Sequence, residues 1–211
     1  MLLGKYLSRP RSVMRRKDRR LDAGDWQHRL LAMTTYGTLA AVHDGQPVIH
    51  GNIFWHDPAA NAIYLHQARV GRLRAIADLG PSPASFMASD IGRIIPNYTP
   101  LEFSVEYASV IAYGTLAPVT DLDEARRALE GLMTKYAPQL EPGRDYDPMP
   151  LTDIKQTTVL KLAIDELVGK HNVKPADYAP YRIPPYPLPQ SSFIDEERTA
   201  GRVTIAPKEL G

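Results

Sequence analysis

Apolar and polar positions alternate through the first third of the chain and spell short strands divided by turn residues. Residues 37–42 are strand-like, and His43-Asp44-Gly45-Gln46 follows as a turn with a hairpin-type Asp-Gly pair. Residues 47–54 return as a second strand, and a looser turn near Asp57-Pro58-Ala59-Ala60-Asn61 leads to a third, which ends at His66. Three strands joined by hairpins predict an antiparallel meander rather than a parallel nucleotide-binding sheet. Ahead of them, Asp22 is placed to cap a short helix with Asp25 in its first turn and Trp26, Leu30 and Met33 on one face.

The period then changes. A helix begins near Arg69 or Val70, turns Leu73, Ile76 and Ala77 inward, and stops at Leu79-Gly80-Pro81. Residues 84–89 read as a fourth strand and 90–101 as irregular, with Pro96 and Pro100 bounding Asn97-Tyr98. Residues 102–119 form a long β-rich stretch in which Gly114 marks a bend or bulge. Asp121 caps a helix whose stripe is Leu122, Ala125, Leu129, Leu132 or Met133, and Tyr136, and Pro138 ends it. Residues 158–167 are the last strand, with Leu160, Leu162 and Ile164 on one face. From Val173 the chain is proline-rich; this tail has no core of its own and is extended, disordered or wrapped over the domain or a partner. The pattern predicts a mainly β, α+β fold built on a small closed or partly closed barrel.

Composition narrows the chemistry. The 211 residues suit one domain with an appendage, and a net charge of +1 argues against wholesale binding to nucleic acid or an anionic membrane. The absence of cysteine excludes disulfides, thiolate metal sites, iron–sulfur clusters and cysteine nucleophiles. No apolar run approaches a membrane span, and the first residues lack a signal-peptide core, so a cytoplasmic protein is expected. The basic lead-in (Arg9, Arg11, Arg15, Arg16, Lys17, Arg19, Arg20) is better read as a solvated segment than as a nucleic-acid arm. No histidine pair has metal-binding helical spacing, and Ser109 lacks an evident base.

The densest candidate chemistry is His66-Gln67-Ala68-Arg69-Val70-Gly71-Arg72, where a strand hands over to a helix. Free first-turn amides, two guanidiniums and a glycine that permits close approach make an anion cradle, with His66 just ahead of it. A solvated helix end would explain the same arginines without a ligand.

Together these segments resemble a known family. The carriers are Arg15-Arg16-Lys17-Asp18-Arg19, Gly37-Thr38-Leu39-Ala40, Asp44-Gly45-Gln46-Pro47 and the run from Tyr64 to Arg72. Tyr107-Ala108-Ser109-Val110-Ile111-Ala112-Tyr113-Gly114, Pro142-Gly143-Arg144 and Thr158-Val159-Leu160-Lys161-Leu162 complete the set. It is similar to the flavin-binding split-barrel proteins of the pyridoxamine-phosphate-oxidase-like superfamily, in the branch related to nitroimidazole-resistance proteins. The likeness divides the chain into a lead-in (1–13), a barrel domain (14–171) and an extended proline-rich tail (172–211).

That resemblance implies a six-stranded antiparallel split barrel with flanking helices, a homodimer, and FMN in a groove at the subunit interface. It assigns the FMN phosphate to Arg69, Gly71 and Arg72, with Gln67 and Ala68 in the same stretch. The isoalloxazine edge falls to Val48, Ile49, His50 and Gly51. It sets His66 near the flavin, as the candidate catalytic residue, and Ser109 and Val110 in a strand lining the groove. The implied activity is an oxidoreductase that takes electrons from NAD(P)H or another reductant and reduces a small organic acceptor, nitroaromatic compounds included. The alternatives are a haem-binding relative with His66 or His50 as axial ligand, and a non-catalytic flavin-binding or regulatory module.

Overall fold

A computed structural model describes residues 25–188 and Ala200. The basic lead-in, the Asp22 cap and most of the tail beyond Leu188 lie outside the described residues. Eight strands form one antiparallel sheet: β1 Gly37–His43, β2 Gln46–Asn52, β3 Trp55–Asp57, β4 Ala62–Gln67, β5 Ser82–Ile95, β6 Ser104–Pro118, β7 Thr158–Asn172 and β8 Tyr186–Pro187. Among the described residues four α-helices flank it: α1 Trp26–Met33, α2 Arg72–Asp78, α3 Leu122–Tyr136 and α4 Leu151–Gln156.

The strand order is β2-β1-β5-β6-β7-β4-β3, with β8 added to β5. Six of the eight are long and two are short, β3 with three residues and β8 with two. The described sheet thus has two strands more than the expected six. The hydrogen-bonded path is open, yet its ends cannot lie far apart. β2 and β3 sit at opposite ends, and only Ile53 and Phe54 join them, a link that reaches about 10 Å at most. The sheet must therefore curl until its edges meet without pairing. Inside that split the Phe54 N–H is met by a side chain: it donates to the Tyr136 hydroxyl at 3.0 Å, which in turn donates to the Thr35 carbonyl at 2.7 Å. The result is a mainly antiparallel sheet with flanking helices, fitting a split-barrel α+β fold.

One apolar cluster fills the barrel, with Leu39, Phe54, Ile63, Leu65, Phe86, Val110, Leu116, Leu160 and Leu162 all fully buried. A second lies under α3, where Ala125, Ala128, Leu129 and Leu132 meet Ala62, Tyr64 and Val159. β4 separates the two, so Ala62-Ile63-Tyr64-Leu65 is buried on both faces and reads as an unbroken apolar run. Polar links seat α3 on β4 and on β3 beside it: the Tyr64 hydroxyl donates to Glu124 at 2.6 Å, and Arg127 donates to Asp57 at 2.7 Å. The cover ends at His66, which is exposed. One strand thus carries the chain from the core to the open surface within two residues.

Several expectations needed correction. The inward face of α1 is Trp26 and Leu31, with Leu30 half-buried against the core, while Met33 is 79% exposed, and Asp25 stands at the N-cap position rather than in the first turn. Residues 90–95 are not irregular: β5 continues to Ile95 because β6 pairs with it as far as Ser104. β3 and α4 were not anticipated. The Gly114 bulge is present as a register shift against β7, and a Cβ there would strike the Ala163 carbonyl. The tail, where described, lies on its own domain. Tyr186 and Pro187 pair with β5, and Arg93 donates to the Pro175 and Ala176 carbonyls. Among the described residues no helix is long and apolar enough to cross a membrane.

Candidate functional site

A groove of about 710 Å³ opens between β2 on one side and the end of β4 with the start of α2 on the other. It falls in the size range of small-molecule sites. Of the residues singled out in the sequence, Val48, Ile49, His50, His66, Gln67, Ala68, Gly71 and Arg72 line it, joined by Pro47, Asn52, Val70 and Leu73. Two segments of the chain, 47–52 and 66–73, thus meet because β2 and β4 border the split of one curled sheet.

The handover from β4 to α2 differs in detail from the expectation. The helix begins at Arg72, not at Arg69 or Val70, and Gly71 is its N-cap. Gly71 has φ 153° and ψ 164°, a conformation that side chains rarely adopt, and no atom lies where its Cβ would be. Arg69 therefore sits on the connecting loop, exposed beside the groove but not among its lining residues. α2 is held by Leu73, Ile76 and Ala77, all buried as the periodicity required.

The three arginines here are not equivalent. Arg74 is committed: its Nε donates to both Asp78 oxygens at 2.8 and 2.7 Å, and its Nη1 donates to Thr158 Oγ1 at 2.8 Å. Arg69 and Arg72 are exposed and form no ion pair or hydrogen bond with a described residue. Asp78, the nearest acid in the helix, is already taken by Arg74. Two guanidiniums with no partner among the described residues, one lining the groove and one on the loop beside it, have the chemistry that suits an anion.

The opposite wall is polar and ordered. Asn52, 7% exposed, donates from Nδ2 to His50 Nδ1 at 2.8 Å and to the His50 carbonyl at 3.3 Å. Gln67 Nε2 donates to Asn52 Oδ1 at 2.7 Å and so ties β4 to β2 across the split. Asn52 escaped the sequence reading, although its signal was there: it stands two residues from His50 and shares its face of the strand. His66 makes no side-chain hydrogen bond to a described residue, and both its ring nitrogens are available to a ligand.

Gly51, Ser109 and Val110 are not brought to the groove. Gly51 is on the other face of β2, where the Tyr36 ring covers it so closely that a Cβ would lie 2.6 Å from the hydroxyl. Val110 points into the barrel and is fully buried, which removes its side chain from any ligand. Ser109, one residue away, faces outward opposite Ser89 and Lys170.

That outer face is unusually apolar. Val42, Ile49, Met87 and Ile91 are 63, 67, 43 and 58% exposed, and Ile111 and Tyr107 stand across the ladder from Met87 and Ile91. Pro47 and Ile49 belong both to the groove and to a shallow depression on this face. The face and the groove are one continuous surface.

Comparisons with known proteins agree on the fold. A family model for pyridoxamine 5'-phosphate oxidase matches residues 25–171. No significant match is found among curated protein sequences. Among solved structures, the flavocytochrome Anf3 of Azotobacter vinelandii aligns with a TM-score of 0.67 at 17% identity, over 94% of this chain and 88% of its own. An FAD- and haem-binding protein of Mycobacterium smegmatis gives 0.60 at 21%, over 86% and 85%. A Bacteroides thetaiotaomicron protein assigned by inference to 5-nitroimidazole antibiotic resistance gives 0.58 at 16%, over 71% and 84%.

Proposed function

The chain belongs to the pyridoxamine 5'-phosphate oxidase family, and from that premise we propose that it is a flavoprotein whose groove holds FMN. The observation that carries this reading is the pair of guanidiniums of Arg69 and Arg72, which have no partner among the described residues and stand either side of Gly71 at the end of a groove of ligand size. They suit the FMN phosphate. Val48, Ile49 and His50 on β2, with Gln67 and Ala68 at the end of β4, suit the ring system along the rest of the groove. When bound, FMN supplies hydride and single-electron transfer. The protein's part is to hold the phosphate, wall off water with Val48, Ile49 and Val70, and present His66. An exposed imidazole with both nitrogens free can donate a proton to an acceptor or stabilise charge developing beside it. The activity we infer is an oxidoreductase that draws electrons from NAD(P)H and reduces a small organic acceptor, nitroaromatic compounds included.

The apolar outer face supports a homodimer with the groove at the subunit interface. Exposed Val42, Ile49, Met87 and Ile91 form a patch that monomers rarely leave bare. It runs into the groove through Pro47 and Ile49, and Ser109 stands on the same outer face. A second reading, haem bound through His66, is favoured by the free imidazole and by neighbours that bind haem as well as a flavin.

Purified protein should be yellow, release FMN on denaturation as identified by mass spectrometry, and elute as a dimer. Colourless protein that ignores added FMN would refute the flavin reading. A Soret band lost in His66→Ala would select haem.

A further inference from the structure

Asn52 bonds to both the ring and the backbone of His50, and the backbone contact decides what the ring contact means. The Asn52 amide places Nδ2 3.3 Å from the His50 carbonyl and 2.8 Å from His50 Nδ1. A carbonyl oxygen can only accept, so the amide group facing it must be the donor NH2. Gln67 agrees from the other side, since its own NH2 donates to Asn52 Oδ1 at 2.7 Å. Reversing Asn52 would set oxygen against oxygen at the His50 carbonyl, whichever way the Gln67 amide faces. The His50 Nδ1 that meets this NH2 must therefore be an unprotonated acceptor. In the neutral imidazole the proton is then on Nε2.

From this geometry we propose that Asn52 is a positioning residue, oriented by Gln67, that fixes His50 as the Nε2–H tautomer and makes it a hydrogen-bond donor to the ligand of the groove. His50 lines the groove and is exposed there, whereas Asn52 is buried behind it. The complementary ligand atom carries a lone pair: a carbonyl oxygen or an unprotonated ring nitrogen. The arrangement excludes His50 from metal ligation in this state, because the nitrogen left for the groove has no lone pair to give. His66, with neither nitrogen engaged, is free of that restriction. Two histidines on one groove thus have different chemical offices. The relay itself stands apart from the flavin reading; only the identity of the acceptor as part of FMN rests on it.

The test is two-bond ¹H–¹⁵N correlation NMR of histidine-labelled protein, with His50→Gln used to assign the signal, alongside FMN titration. Wild-type protein should show His50 with Nδ1 unprotonated and Nε2 protonated. Asn52→Leu should release it into a mixture of both tautomers and weaken FMN binding by the reciprocal of the fraction that keeps the proton on Nε2, about twofold for an even mixture. A wild-type spectrum with Nδ1 protonated overturns the proposal even if the variant fails to fold. So does a variant that keeps the single wild-type tautomer, or one that loses it while binding FMN as tightly as before. Wild-type protein with the expected tautomer and no affinity for FMN supports the relay and removes the flavin reading.

Discussion

Removing the two free arginines should abolish discrimination between FMN and riboflavin, which differ only in the phosphate. A hydrogen bond to a charged group contributes about 1.5–3 kcal/mol. Arg69 and Arg72 are exposed, so solvent and salt screen them and the lower end applies, roughly tenfold in affinity for each. Arg69→Ala and Arg72→Ala should each weaken FMN about tenfold and the double variant about a hundredfold, if the two act independently. Riboflavin should bind wild-type protein about a hundredfold more weakly than FMN and be indifferent to either change. Arg74→Ala is the internal control. Its guanidinium is spent on Asp78 and Thr158, so its loss should lower thermal stability and leave the FMN-to-riboflavin ratio intact. Flavin fluorescence titration at two salt concentrations measures all of this, and the salt dependence for FMN should flatten in the double variant. If riboflavin binds as tightly as FMN, or the double variant keeps the wild-type ratio, the phosphate is not held where we place it.

Two further predictions concern stability. His56 is buried against His28, with ring centroids 5.0 Å apart, and burial, then His28 and Lys135, lower its pKa from 6.5 to about 4 against the opposing pull of Asp57. The fold prefers the neutral ring while the unfolded chain takes up a proton near pH 6.5. Stability from this group is therefore complete above that pH, falls by about 3 kcal/mol as pH drops to 4, and levels below. Urea unfolding of wild type and His56→Phe across that range should diverge in slope, and parallel curves would sink the argument. Glu106, 6% exposed, accepts from Arg93 at 2.8 Å and from the Lys174 N–H at 2.8 Å, and Arg93 holds its carboxyl down to about 2. Glu106→Gln should loosen the strap over residues 173–188, seen as faster hydrogen exchange there with the barrel strands unchanged; unaltered exchange would show that the pair does not anchor it.

How much of this was legible in advance follows the reach of the forces involved. Alternation and turn chemistry act over a few residues, and they foretold the β1–β2 hairpin, the capped start of α3 at Asp121 and the buried stripe of α2. The Gly114 bulge was legible too, because only a missing side chain admits the Ala163 carbonyl. What local pattern could not supply was decided by pairing partners far off in the chain. Residues 90–95 became strand because β6 offered them a ladder, and six long strands gained two short neighbours for the same reason. Ser109 and Val110 looked alike as candidates, yet the pleat sent one outward and the other into the core. Three arginines in one stretch were chemically identical until Asp78 and Thr158 claimed Arg74 and left the other two with no partner among the described residues. The proton on His50 was set by Gln67 through Asn52, a chain of contacts that exists only because a curled sheet brings the ends of β2 and β4 to its split.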